Sequence, residues 1–171
     1  DWHRSTAAGR STLQVYDIRS DLDLNSNFSY ALERPAQGDQ FKQTDRRTVL
    51  GAEASHSIDH DLGPWPARTT VRLQLRRDTI RVGLFDSVAR SATAAVRDDA
   101  IRQSQAGLYA QTALELSPTL RAVVGLRLDR LQAQVDAISL PANGGSASAT
   151  QGSPKLTLVW TATPRTELFV N

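Results

Sequence analysis

Between Tyr16 and Leu32 the chain alternates for seventeen positions. Even positions read Tyr16, Ile18, Ser20, Leu22, Leu24, Ser26, Phe28, Tyr30 and Leu32. Odd positions read Asp17, Arg19, Asp21, Asp23, Asn25, Asn27, Ser29 and Ala31. A period of two separates the apolar set from the charged set, which helical spacing would mix, so the pattern predicts a strand. The same alternation returns along the chain. Leu50, Ala52, Ala54 and Ile58 oppose Arg47, Gly51, Glu53 and Ser55. Val71, Leu73 and Leu75 oppose Arg72, Gln74 and Arg76. Ala106–Leu116, Leu120–Leu128 and Leu156–Ala162 repeat it, and Leu168 and Val170 begin one more. The phase slips near Arg77–Ile80 and near Arg130–Leu131, where a bulge or an exit from a membrane would each suffice.

Strands of globular proteins typically run about 5–6 residues. A two-faced strand of three times that length fits the wall of a large outer-membrane barrel, whose strands project past the bilayer. Twelve steps from Tyr16 to Phe28, at about 3.3 Å each and tilted about 40°, cover roughly 30 Å, the thickness of a hydrocarbon core. On this reading the even face of Tyr16–Leu32 meets lipid, with Tyr16, Phe28, Tyr30 and Trp160 as its girdle aromatics. Arg46, His56, Arg77 and Arg130 are the charged or titratable exceptions on the lipid phase, all placed near strand ends. Gly51, Gly107 and Gly125 fall on the opposite, inner phase.

The connections differ in length. Long ones are expected at Glu33–Asp45, Ala89–Arg102 and Ala137–Ser153. A moderate one is expected at Asp59–Ala67. Tight ones are expected at Ser117-Pro118-Thr119, Thr163-Pro164-Arg165 and Ser5–Gly9. Long on one side and short on the other is the arrangement of outer-membrane barrels, with long loops outside and short periplasmic turns.

Composition narrows the choice further. The chain has 171 residues, 40% hydrophobic and 22% charged, which argues against wholesale disorder. No apolar run approaches the length of a transmembrane helix. Lys+Arg is 20 against Asp+Glu 18, interspersed, so nucleic acid is not an expected partner. Only Lys42 and Lys155 are lysines. With no cysteine there is no disulfide or thiol chemistry. Both termini look cut within strands, so the chain reads as a fragment.

Asn25–Arg47 (NSNFSYALERPAQGDQFKQTDRR) is followed by LQLRRDTIRVGLFD, VRDDAIRQSQAGLYAQ, TLRAVVGLRLDR, LPANGGSASA, SPKLTLVW and PRTELFVN. This succession resembles the barrel of TonB-dependent outer-membrane receptors over nearly the whole chain. Ser26-Asn27-Phe28, Gly38-Asp39-Gln40-Phe41, Ser153-Pro154-Lys155 and Thr166–Asn171 carry most of the resemblance. It implies an all-β fold, an antiparallel up-and-down transmembrane β-barrel segment with about 7–8 strands of a larger barrel of about 22. Residues 1–171 would be a partial barrel domain, with the plug domain and TonB box absent. The implied function is active uptake of a scarce nutrient, of the siderophore-iron, cobalamin or glycan class, with no cofactor. Implied partners are outer-membrane lipid, the protein's own N-terminal plug, TonB and a small-molecule ligand. A passive porin without a plug and a soluble β-rich binding module are the alternatives. A plug preceded by a TonB box, or its absence upstream, discriminates the first; recovery in the aqueous fraction would establish the second.

The inward arginines Arg72, Arg76, Arg121 and Arg127 are candidate contacts for an anionic substrate or the plug, weighed against cross-strand pairing. Asp39, Arg97, Asp98 and Asp99 are candidates on external loops. His56, Asp59, His60 and Asp61 group as a possible metal site, with a polar turn preferred. Asp21 and Asp23 are expected on an inward charge ladder with Arg19 and its neighbours. No catalytic motif is present: there is no Gly-x-Ser-x-Gly and no phosphate-cradling loop, so an enzyme is not expected.

Overall fold

The computed structural model describes residues 1–7 and 9–171. They form one eight-stranded sheet in strict sequence order, every neighbouring pair antiparallel. The strands are β1 (Trp2–Thr6), β2 (Gly9–Ser26), β3 (Phe41–Leu62), β4 (Trp65–Val88), β5 (Ser91–Ser117), β6 (Leu120–Ala137), β7 (Gly145–Thr163) and β8 (Thr166–Val170). One 3₁₀ turn, Pro141–Asn143, interrupts the connection between β6 and β7. The meander follows from the sequence: alternating runs separated by turn residues can pair only with the next run along when the connections are short.

The connections are shorter than the sequence suggested. Gly63 turns β3 into β4 at φ +63°, and Ala89 and Arg90 turn β4 into β5, both at positive φ. The expected long loop Ala89–Arg102 is therefore strand almost throughout, carried as a hairpin of two extended ribbons. Two register shifts, at Leu84/Phe85 and Asp86/Ser87, absorb the mismatch near its tip. The one long irregular connection spans residues 27–40, so β2 ends at Ser26 and not at Leu32. The expected turn Ser5–Gly9 is flanked by the pair Thr6 and Gly9, with Ala8 outside the described residues.

Cross-strand partners share a face, so the registers assign every strand position to one of two surfaces. One surface carries Leu13 and Val15 of β2, then Ala54 and Ala52, Leu73 and Leu75, Leu108 and Ala106, and finally Leu126 and Leu128. Leu156, Leu158 and Trp160 continue it onto β7, and Leu168 and Val170 onto β8. The other carries Glu53, Gly51, Arg72, Gln74, Arg76, Gly107, Tyr109, Arg127 and Asp129. They are called here the leucine face and the arginine face.

This assignment corrects the reading of β2. Tyr16 pairs with Gly51 and Ile18 with Val49, which places the even positions of β2 on the arginine face. Asp17, Arg19, Asp21 and Asp23 lie on the leucine face, above Val15. The cause is a phase inversion shared by five strands. Apolar residues sit on the leucine face up to Val15, Leu50, Leu75, Ala106 and Leu128. Beyond them the apolar residues change sides, to Ile18, Val49, Ile80, Ile101 and Leu131. The ladder runs through these inversions without a bulge, because its register shifts lie elsewhere. The chemistry of the two surroundings changes there, not the backbone. The slips near Arg77–Ile80 and Arg130–Leu131 are exits from the apolar zone.

Candidate functional site

The arginine face holds a polar band at the level of the leucines. Arg72 Nε lies 3.3 Å from Glu53 Oε1, and Gln74 Nε2 donates to Glu53 Oε2 at 2.6 Å. Arg76 forms a two-point bridge to Asp78, through Nε at 2.7 Å and Nη2 at 2.9 Å. Arg127 does the same to Asp129, at 2.6 and 2.7 Å. Bidentate guanidinium–carboxylate pairs fix both orientation and charge. A side chain two positions along a strand lies on the same face, so Arg76–Asp78 and Arg127–Asp129 are built by spacing within one strand.

Glycines let this band lie flat. A Cβ at Gly107 would stand 2.8 Å from both Arg127 Nη2 and Asp129 Oδ1. A Cβ at Gly51 would stand 2.1 Å from Cζ of Tyr16. The Tyr16 ring and the Arg127–Asp129 pair therefore cover bare backbone. Between them is a recess of about 200 Å³ bounded by Tyr16, Glu53, Gln74, Arg76, Gln105 and Arg127.

The structure thus brings Arg76 and Arg127 to one recess and places Arg72 beside it on Glu53. Arg121 stands apart. It pairs across the sheet with Glu115 and Val159 near the Pro118 turn, six positions and about 20 Å from Arg127. There it borders a groove with Asp59, Arg68 and Glu115. Glu53, Gln74 and Gln105, which complete the recess, and Asp78, which holds Arg76, carry no site expectation from the sequence. Their signal was parity: Gln74 and Asp78 share it with Arg72 and Arg76.

Of the four residues expected on external loops, three lie in a strand. Arg97, Asp98 and Asp99 belong to β5. Arg97 bridges the fully buried Asp99 carboxylate on the arginine face. Asp98 faces the other way, held by Arg81 at 2.7 and 3.0 Å. Asp39 does lie in the 27–40 loop, but it is buried and turned inward. Its carboxylate accepts the backbone N–H groups of Glu33 at 3.0 Å and Arg34 at 2.7 Å. The Glu33 amide does most to hold this carboxyl below its ordinary pKa, against the opposing effect of burial. Asp39 is a structural staple of the loop.

The histidine and aspartate group separates across the sheet. His56 and His60 share the leucine face, while Asp59 and Asp61 point to the other. His56 meets Ser11 at 2.8 Å, His60 meets Thr69 at 2.8 Å, and Asp59 is bridged by Arg68 at 2.6 Å. Asp21 and Asp23 pair across strands with Arg46 and Lys42, but on the leucine face.

The leucine face supplies the remaining geometry. Its apolar zone on β4 runs from Trp65 to Leu75. Ten steps at about 3.3 Å, tilted about 40°, give roughly 25 Å, the height of a barrel's lipid-facing band. All three tryptophans, Trp2, Trp65 and Trp160, project from this face and are about half exposed. Of the expected girdle aromatics only Trp160 lies on it. Tyr16 is on the other face, and Phe28 and Tyr30 are in the loop.

A family model described as TonB dependent receptor-like, beta-barrel, matches residues 1–171. The chain belongs to this family. Its members are transporters and receptors rather than enzymes, and they are outer-membrane barrels whose full proteins carry a plug and engage TonB. The chain is a segment of such a barrel: all-β, with eight antiparallel strands in one sheet. Solved structures share the fold. The ferric citrate transporter FecA in its unliganded form superposes with a TM-score of 0.76 at 12% identity, covering 97% of this chain and 24% of that one. The copper transporter OprC gives 0.72 at 16%, covering 96% and 28%. The open form of the ferric-catecholate import receptor Fiu from E. coli K12 gives 0.62 at 11%, covering 94% and 32%. The chain spans about a quarter to a third of the length of these structures. No curated protein matches it in sequence.

A charged side chain turned to mid-bilayer costs about 2–4 kcal/mol, so of the two surfaces the leucine face is the one whose chemistry suits lipid and the arginine face the one that suits a watery lumen.

Proposed function

We propose that this chain forms part of the wall of an active outer-membrane importer for a scarce nutrient, of the siderophore-iron, cobalamin or glycan class. The ends joined by two-residue turns at Gly63, Pro118 and Pro164 face the periplasm, and the ends bearing the 27–40 loop and the long β4–β5 hairpin face outward. The supporting observation is the two-sidedness of one sheet: a 25 Å leucine band backed by a hydrogen-bonded charged wall. The full protein would hold a plug against this wall, and TonB would supply the work of moving it.

The lumenal arginines suit a role in holding neutral polar or mildly anionic cargo, or the plug. Arg72, Arg76 and Arg127 are balanced by Glu53, Asp78 and Asp129, so the wall offers hydrogen-bond donors without a net positive field. The solved transporters of ferric citrate, copper and ferric catecholates lend support to the metal-chelate class through fold alone.

Uptake of labelled ferric chelates and cobalamin by cells carrying the full-length gene tests this reading. Accumulation is expected to saturate and to vanish when TonB is deleted. Undiminished entry of small solutes without TonB would establish a passive pore instead.

A further inference from the structure

The recess of about 200 Å³ on the arginine face sets polar side chains beside one aromatic ring. The registers put Tyr16, Gly51, Arg76 and Gln105 in one row across β2 to β5, with Glu53, Gln74 and Gly107 in the next row. Tyr16 lies over Gly51, so its ring forms one side of the recess rather than filling it. Arg127 reaches over Gly107 from β6 and closes the opposite side. Pockets for whole small molecules hold about 300–1,000 Å³, so this one has room for a single ring of a longer ligand.

Donors and acceptors decide what that ring carries. Asp78 and Asp129 neutralise Arg76 and Arg127, and Glu53 stands against Arg72 at 3.3 Å. A ligand with net charge of either sign therefore gains little here. An ionised carboxylate only accepts, a guanidinium only donates, and a primary amide does both. Glu53 is an acceptor at the edge of the recess, so a ligand made only of carbonyl or anionic oxygens would have no proton to offer it. Among the described residues the Gln105 amide and the Tyr16 hydroxyl form no hydrogen bond, and Gln74 spends only its donor, on Glu53 at 2.6 Å. Hydroxyl groups, which give and accept at once, satisfy all of these together.

We propose that the recess binds one uncharged pyranose ring of an oligosaccharide cargo. The C–H face of the sugar packs on the Tyr16 ring, whose face is weakly negative. Its hydroxyls bridge the Gln74 and Gln105 amides, accept from Arg76 and Arg127, and donate to Glu53. The two-point pairs to Asp78 and Asp129 hold both guanidiniums in place beforehand, so little side-chain freedom is lost on binding. The assignment rests on the importer reading and selects the glycan class within it. A polyanionic ferric chelate would meet no net positive charge here, and a corrin would not enter.

The test is binding of the full-length receptor, purified in detergent, to an array of neutral and acidic oligosaccharides, with a ferric trihydroxamate and cyanocobalamin immobilised beside them. Binding to at least one neutral oligosaccharide is expected. Tyr16→Leu and Gln105→Leu are each expected to weaken it about tenfold, through loss of the stacked ring or of the amide. Arg165→Gln, at the β7–β8 turn, is expected to leave it unchanged. Heat-modifiable gel mobility reports whether each variant has folded. Where one recess variant does not assemble, the other gives the same reading, and Gln105→Asn, which draws the amide back, stands in for both. An array on which no neutral oligosaccharide binds overturns the proposal, as does equal binding by folded recess variants. Loosening of the plug to protease in those variants, with oligosaccharide binding kept, would show that the recess seats the plug, and overturns it too. Failure of the importer reading is separate and shows as uptake that persists without TonB, whatever the receptor binds.

Discussion

Single residues here are legible once their face is known. Gly51 has no side chain because the Tyr16 ring occupies that space, 2.1 Å from where a Cβ would stand. Gly51→Ala is expected to destabilise the folded barrel by about 1–3 kcal/mol through overpacking. In Tyr16→Ala the same substitution should cost less, and that coupling is read from urea unfolding of the full protein. Asp39 behaves in the opposite sense, as a charged group that folding favours. Its folded pKa is depressed by the Glu33 and Arg34 amides, so its contribution is present above the unfolded value of about 3.9. That contribution is lost as pH falls through the lower folded value. Protection of the Glu33 and Arg34 amides against hydrogen exchange, taken relative to the intrinsic rate at each pH, is expected to hold at neutral pH and to fall on strong acidification. Asp39→Asn should lower it already at neutral pH. The sequence pointed to Asp39 as a loop residue, but nothing in Gly38-Asp39-Gln40 shows which way a carboxylate turns.

At the scale of the strand, alternation was read reliably and its phase was not. β3 through β7 carry their leucines and alanines where the sequence put them. β2 does not, because most of its alternating run lies beyond the leucine band. There the leucine face carries Asp17, Arg19, Asp21 and Asp23, while Ile18 lies on the arginine face beside Val49. The same inversion predicts position-dependent costs along one strand. Val71→Arg, near the middle of the lipid band on β4, is expected to cost about 2–4 kcal/mol. Thr79→Arg, on the same face but beyond the band, is expected to cost no more than about 1 kcal/mol. Denaturant unfolding in lipid vesicles distinguishes them, and equal costs would contradict the placement of the band. On the inner side, Arg76→Leu strips the partner from Asp78, whose side chain is 4% exposed. A loss of about 1–3 kcal/mol is expected, more than for Arg121→Leu, which has no such partner to strand.

At the scale of the molecule, eight strands in a row leave β1 and β8 each with one neighbour. Unpaired ladder edges and a leucine face with no lipid favour association. The 171-residue segment expressed alone in detergent is expected to elute as a broad aggregate and to show no heat-modifiable band. A monodisperse, heat-modifiable species would mean that the segment closes on itself. The wall's fine structure also belongs to this scale. Arginines on β4 and β6 reach one recess only because β5 sets Gly107 between them, and no distance along the chain reveals that.

The amino-acid order alone determined the meander and the two-faced chemistry, since side chains at every second position must share a surface, and it brought the strand count to about 7–8. It also fixed the family, through motifs kept in order. Only the assembled sheet decided where each strand leaves the leucine band and which carboxylate neutralises which arginine. Those depend on register between strands tens of residues apart, and register is set by the whole ladder rather than by any one ribbon.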